Sequence, residues 1–269
     1  MAWTLVNALL GLLAISQAAE AAAAGERPGQ QQHQHVISSA GSSSLAGTDV
    51  RKALKKAEII PTVIDDFTPG LLLTAKWSSS NHASLGNTLK PKKLQGPPSI
   101  TLHAQAPSLS SSWTCRLDKK STNIIITLTD PDAPSRDDPK WSEFCHWIAV
   151  LSKKASSIHT SSDDEAACGE EGVVVVESGK ADLDEVMEYK PPGPPEKTGK
   201  HRYVFLAFVP ANGTTEKLYP SKPSDRKHWG YEVDDDSKDK ETKGVREWAE
   251  ENGLVPVAAN FIYAENEEQ

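Results

Sequence analysis

Apolar positions recur with a period of two through the middle of this chain and with a helical period only near its ends. The runs 71–77, 99–104 and 123–129 are short and apolar, set off by Gly, Pro, Asn and Ser, and each is expected to be a strand. In the third run Ile124, Ile126, Leu128 and Asp130 share one face, so a carboxylate emerges at the end of a buried row. Residues 144–151 form another expected strand, with Phe144, His146, Ile148 and Val150 on one face and Cys145, Trp147, Ala149 and Leu151 on the other. Both faces are apolar, which places it centrally in a sheet with His146 as its one polar intrusion. In residues 201–209, His201, Tyr203, Phe205 and Ala207 share a face, and 260–264 reads as a last strand.

Helical spacing is confined to two stretches. Thr48 is a suitable N-cap for a helix carrying Val50, Ala53, Leu54 and Ala57, which Pro61 limits. Val245, Trp248, Ala249 and Asn252 line a second, with Gly253 placed to cap it. Helices at the ends and strands between them predict a mainly β fold with flanking helices and antiparallel pairing.

Composition adds limits. The chain has 269 residues, 38% apolar and 25% charged, enough for one domain with a sizeable core over 48–269. A net charge of −8 with no basic stripe excludes nucleic acid as the expected partner. Residues 1–24 are apolar with no Lys or Arg and read as a secretory signal, so the expected destination is secreted or vacuolar, without integral membrane association once the signal is removed. Residues 25–47 are low-complexity and expected to be disordered. The stretch 153–185 reads in part as an acidic surface insertion. Cys115, Cys145 and Cys168 allow at most one disulfide within the chain, with the pairing open.

The chemistry sits at strand ends. Asp130, His146, His201 and Tyr203 are polar groups on otherwise apolar faces, and each costs about 1–3 kcal/mol if buried without a partner. They either satisfy one another or close on a ligand. Imidazole and phenol groups suit an anion, and the proline-rich segments 130–134 and 191–195 supply stiff walls. No G-x-S-x-G elbow and no H-E-x-x-H spacing is present, so neither an enzyme nor a metal or other cofactor is expected.

The motifs TDPDAPSR (129–136), Trp141 and His146 in KWSEFCHW, Gly193-Pro-Pro195 and His201-Arg202-Tyr203 resemble the phosphatidylethanolamine-binding protein family over roughly residues 50–265. Within it the chain is most similar to the fungal carboxypeptidase Y inhibitor subgroup, through the 140–146 motif, His228-Trp-Gly-Tyr231 and Trp248 to Asn252. The resemblance implies a central antiparallel sheet packed on a smaller one. It also implies an anion or phospholipid-headgroup pocket of Asp130, His146, His201 and Tyr203, walled by Pro134, Trp141 and Pro194, with a cis bond before Pro134. The implied partners are a phospholipid headgroup or other small anion and a serine carboxypeptidase, which the protein would inhibit. The alternative is a lipid-binding or scaffold protein with no protease target. In the inhibitor subgroup the N-terminal segment itself takes part in blocking the protease; here the apparent signal and low-complexity stretch stand in its place.

Overall fold

The computed structural model describes residues 47–104, 124–151, 175–178, 183–212, 219–233 and 243–268. The expected signal, residues 25–46 of the low-complexity segment, Cys115 and Cys168 lie outside these; Gly47, expected to be disordered, begins the first helix. Helix α1 (Gly47–Lys56) buries Val50 and Leu54 and carries Lys55 and Lys56 in its last turn, where they suit the helix dipole. Strand β1 (Leu71–Ser78), β2 (Asn81–His82), β4 (Ser99–Ala104) and β7 (Val175–Ser178) form one sheet in the order β2-β1-β4-β7. Strand β3 (Asn87–Thr88), β5 (Ile125–Asp130), β6 (Phe144–Leu151), β8 (Leu183–Met187), β9 (His201–Pro210) and β10 (Leu254–Ala264) form the second, ordered β3-β10-β9-β5-β6-β8. Helix α2 (Val245–Glu251) precedes β10.

Every pairing is antiparallel except that of β10 with the two-residue β3. The expected mainly β architecture, a larger central sheet against a smaller one with helices outside, is the one observed. Strand β7 and the start of β8 fall inside the stretch read as an acidic insertion. The LDEVM of β8 keeps Leu183 and Met187 buried and Asp184 and Glu185 exposed, as an edge strand allows, with Glu185 accepting from the Trp147 indole N–H. Strand β10 starts six residues earlier than expected; Pro256 is accommodated at a register shift between Pro256 and Ala258.

Two buried clusters explain the layers. Leu71, Leu73, Ile100 and Leu102 of the small sheet meet Leu128, Trp147, Phe205 and Ile262 of the large one. On the large sheet's other face, Ile125, Ile148, Leu206 and Phe208 pack against Leu54 of α1 and Trp248 of α2. Asn260 ties the sheets together. Its Nδ2 donates to the carbonyls of Leu73 (2.7 Å) and Ala83 (3.2 Å), and its Oδ1 accepts from the N–H groups of Leu85 and Phe261. No helix among the described residues is long and apolar enough to cross a membrane.

One buried polar atom lacks a partner inside β5: the Thr127 hydroxyl. Valine has the same shape without the hydroxyl and suits a strand. Thr127→Val is therefore expected to stabilise the fold by about 1 kcal/mol, measured by urea unfolding. A loss of stability of that size contradicts this reading.

Candidate anion site

The site begins with a register slip. Along the β5–β6 ladder, Leu128 pairs with Trp147, but the next residue, Thr129, pairs with Cys145. His146 is the extra residue of a β-bulge. Trp147 and Ala149 face the small sheet, whereas Cys145 and Ile148 both face the helices. The strict alternation expected for this strand would put His146 beside Ile148. The bulge corrects that expectation and turns His146 to the side of Tyr203, whose ring it meets edge-on at 5.2 Å.

The bulge is held by groups the sequence reading did not select. The Arg226 guanidinium donates to the carbonyls of Cys145 (3.1 Å), His146 (3.2 Å) and Glu188 (2.9 Å). The backbone N–H of Lys190 donates to the His146 carbonyl at 2.8 Å, and that of Cys145 to the Arg226 carbonyl at 2.7 Å. The residues after Arg226 continue the clasp: Lys227 lies over the Trp141 ring and His228 Nδ1 bonds the Ser142 carbonyl. These act through backbone carbonyls, so no side-chain pattern could have announced them.

Asp130, His201 and Tyr203 meet through the β5–β9 register, in which Thr129 pairs with Val204 and the next rung brings Asp130 to Tyr203. His201 Nδ1 lies 2.9 Å from Asp130 Oδ2. Asp130 Oδ1 accepts from the backbone N–H of Asp132. The Tyr203 hydroxyl bonds Asp130 and receives the N–H of Gly193; burial, then the Asp130 charge, raises its pKa well above the ordinary phenol value. His201 and Tyr203 rings stack at 6.3 Å. All four polar side chains are buried, His146 the least at 5% exposure.

Hydrogen directions decide what this group can do. A carbonyl only accepts, so the contact between His146 Nδ1 and the Lys190 carbonyl (2.8 Å) puts the ring hydrogen on Nδ1. The neutral ring then keeps its lone pair on Nε2. Burial, against the pull of Asp130, lowers the His146 pKa to about 4. His201 Nε2 sits 3.0 Å from Thr198 Oγ1, which outlines an acid–imidazole–hydroxyl row. Thr198, however, gives its one hydrogen to the Pro195 carbonyl at 2.8 Å, so that hydrogen is turned away from Nε2. A hydroxyl whose hydrogen is held by a carbonyl does not pass it to the imidazole, and the row does not hold an activated nucleophile. Its role is to fix His201 and Asp130.

The remaining expected residues lie in the loops that follow Asp130 and precede His201. The Ala133–Pro134 bond is cis, as the family resemblance implied. The backbone N–H of Trp141 donates to the Ala133 carbonyl at 3.0 Å, closing the Pro134 loop. Among the described residues no hydrogen bond or ring contact links Trp141 to the four polar side chains. Pro194 is buried next to Gly193 and accepts from Asn266. Arg202 points the opposite way and pairs with Asp132 at 2.6 Å. Among the described residues no group of three or more His, Cys, Asp or Glu side chains is arranged to hold a metal ion.

Comparison with known proteins gives this geometry a context. The family model for phosphatidylethanolamine-binding protein matches residues 79–262. The carboxypeptidase Y inhibitor of Saccharomyces cerevisiae is 34% identical over 216 residues, covering 78% of this chain and 92% of its own length. A solved structure of carboxypeptidase Y inhibitor complexed with the cognate proteinase is similar with a TM-score of 0.65 and 28% identity, covering 84% of this chain and 98% of that one. A phosphatidylethanolamine-binding protein from Plasmodium vivax, 16% identical, shares the fold with a TM-score of 0.53 over 81% of this chain and 97% of its own. Its two-layered sheets, its ordered sequence motifs and its relatives agree: the chain belongs to the phosphatidylethanolamine-binding protein family.

Proposed function

We propose that this protein inhibits a serine carboxypeptidase of the carboxypeptidase Y type and carries a pocket for a phosphate-bearing headgroup or other small anion. The observation that supports inhibition most is the 34% identity to the yeast carboxypeptidase Y inhibitor, sustained over 92% of that protein. The pocket comprises Asp130, His146, His201 and Tyr203, walled by Pro134, Trp141 and Pro194. It binds rather than reacts, because the one hydroxyl beside its imidazoles gives its hydrogen to the Pro195 carbonyl. In this reading residues 1–24 direct the protein to the secretory pathway, where it is secreted or vacuolar and meets its protease.

Purified protein added to carboxypeptidase Y tests the inhibitory half. Peptide hydrolysis should fall in proportion to added protein and stop near a one-to-one ratio. Unchanged hydrolysis at tenfold excess would leave the pocket alone as the function, which is the lipid-binding or scaffold alternative.

A further inference from the structure

The pocket's hydrogens are already spent. His146 gives Nδ1–H to the Lys190 carbonyl, His201 gives Nδ1–H to the Asp130 carboxylate, and the Tyr203 hydroxyl is held between Asp130 and the Gly193 N–H. The open polar position is His146 Nε2. It has no hydrogen-bond partner among the described residues, and it presents a lone pair while the ring is neutral. A lone pair and a carboxylate repel a fully ionised oxyanion. They accept an oxyanion that brings a hydrogen, or one that arrives as His146 takes up a proton at Nε2.

We propose that the pocket binds an oxyanion only together with one proton, and so selects phosphate monoesters over phosphodiesters in the mildly acidic range up to about pH 6. This rests on the anion-pocket reading above and names the ligand class for it. A monoester keeps one ionisable hydrogen until about pH 6 and can donate it to Nε2. A phosphodiester, the form found in a lipid headgroup, has none to give at these pH values. It requires the imidazolium, whose Nε2–H then donates to it.

The groups facing His146 set the balance. Asp130 on β5 favours the charged ring, while burial, Arg226 from the loop before α2 and Lys190 from the segment after β8 oppose it. Tyr203 on β9 and Phe144 on the same strand supply ring contacts at 5.2 and 5.0 Å. The backbone clasp of Arg226 and Lys190 prevents the ring from flipping its donor outward without breaking the bond to the Lys190 carbonyl. Selectivity therefore follows from a fixed tautomer in a bulge.

Calorimetric titration of the full-length protein with phosphoethanolamine (monoester) and glycerophosphoethanolamine (diester) tests this, from pH 4.5 to 7.5. Each titration is run in two buffers of different ionisation enthalpy, so that protons taken up are counted. Between pH 4.5 and 6 the diester affinity should fall about tenfold per pH unit with nearly one proton taken up, whereas the monoester affinity stays within a few-fold with none. His146→Gln, whose amide can donate without titrating, should abolish the diester's slope while retaining binding. A diester affinity independent of pH, or an unchanged slope in His146→Gln, overturns the proposal while leaving the pocket in place. Failure of both ligands to bind at every pH overturns the pocket itself, and the proposal with it.

Discussion

Arg202→Ala is expected to destabilise the fold by about 3–5 kcal/mol. Arg202 is 7% exposed and Asp132 1% exposed, and the guanidinium is the aspartate's counter-charge. Arg202 Nε and Nη2 donate to Asp132, with Nη2 to Oδ1 at 2.6 Å, while the backbone N–H of Arg202 donates to Oδ2 at 2.7 Å. Nη1 continues to the carbonyls of Ala57 and Glu58, joining β9 and the β5–β6 loop to the end of α1. Truncation removes all the side-chain bonds and leaves a carboxylate in the interior. The loss comes from that orphaned charge, not from the ion pair's net attraction. Arg202→Met with Asp132→Asn should therefore recover part of it, since Asn can still accept the backbone N–H. The Arg136–Glu58 pair is a built-in contrast: its side chains are 42% and 69% exposed, and Arg136→Ala should change stability by less than about 1 kcal/mol. Urea unfolding of the four proteins measures this. Equal effects for Arg202→Ala and Arg136→Ala would refute it.

The second large effect is a pH dependence centred on Glu143. This carboxyl is buried between β6 and α2, accepting from Thr129 Oγ1 at 2.8 Å and from the Val245 N–H. Gly244 lets it sit there, because a Cβ at that position would collide with the Glu143 carboxyl. Desolvation raises its pKa to about 8, against the pull of its hydrogen bonds; Glu247 adds to the rise and Arg246 opposes it. The folded protein thus keeps a proton that the unfolded chain gives up near 4.5. Stability from this group is present below 4.5 and is lost as pH rises towards 8. His146 acts in the opposite sense: its lowered value, about 4, costs stability as pH falls from 6.5. The two offset each other between about 4.5 and 6.5. Above that only Glu143 titrates, and about 2 kcal/mol should disappear between pH 6.5 and 8. Glu143→Gln should flatten this window. The same decline in the variant would place its origin elsewhere.

These effects mark what the sequence could and could not reveal. The faces of β5 and β9 were legible because neither strand is bulged where it carries its polar residues, so successive side chains alternate and Asp130, His201 and Tyr203 fall on a common side. FCHWIAVL offers no such anchor. Either register buries apolar side chains, so periodicity cannot reveal that His146 is a bulge residue. Arg202 stands between two pocket residues in the chain, yet its place one step along a strand sends it to the helix side. Strand β8 was hidden by its acids, which an edge strand tolerates on its open face. Glu143 gave no signal, since its burial depends on Gly244, about a hundred residues downstream.

An anion docked at the bulge meets His146 Nε2. Titration of the full-length protein with inorganic phosphate at pH 5.5, followed through the nitrogen-15 resonances of histidine side chains, tests this directly. His146 Nε2 should move from the lone-pair range towards the hydrogen-bonded range and saturate as a single site, while exposed His82 stays in place. Saturable phosphate binding that leaves His146 Nε2 unmoved would contradict the account.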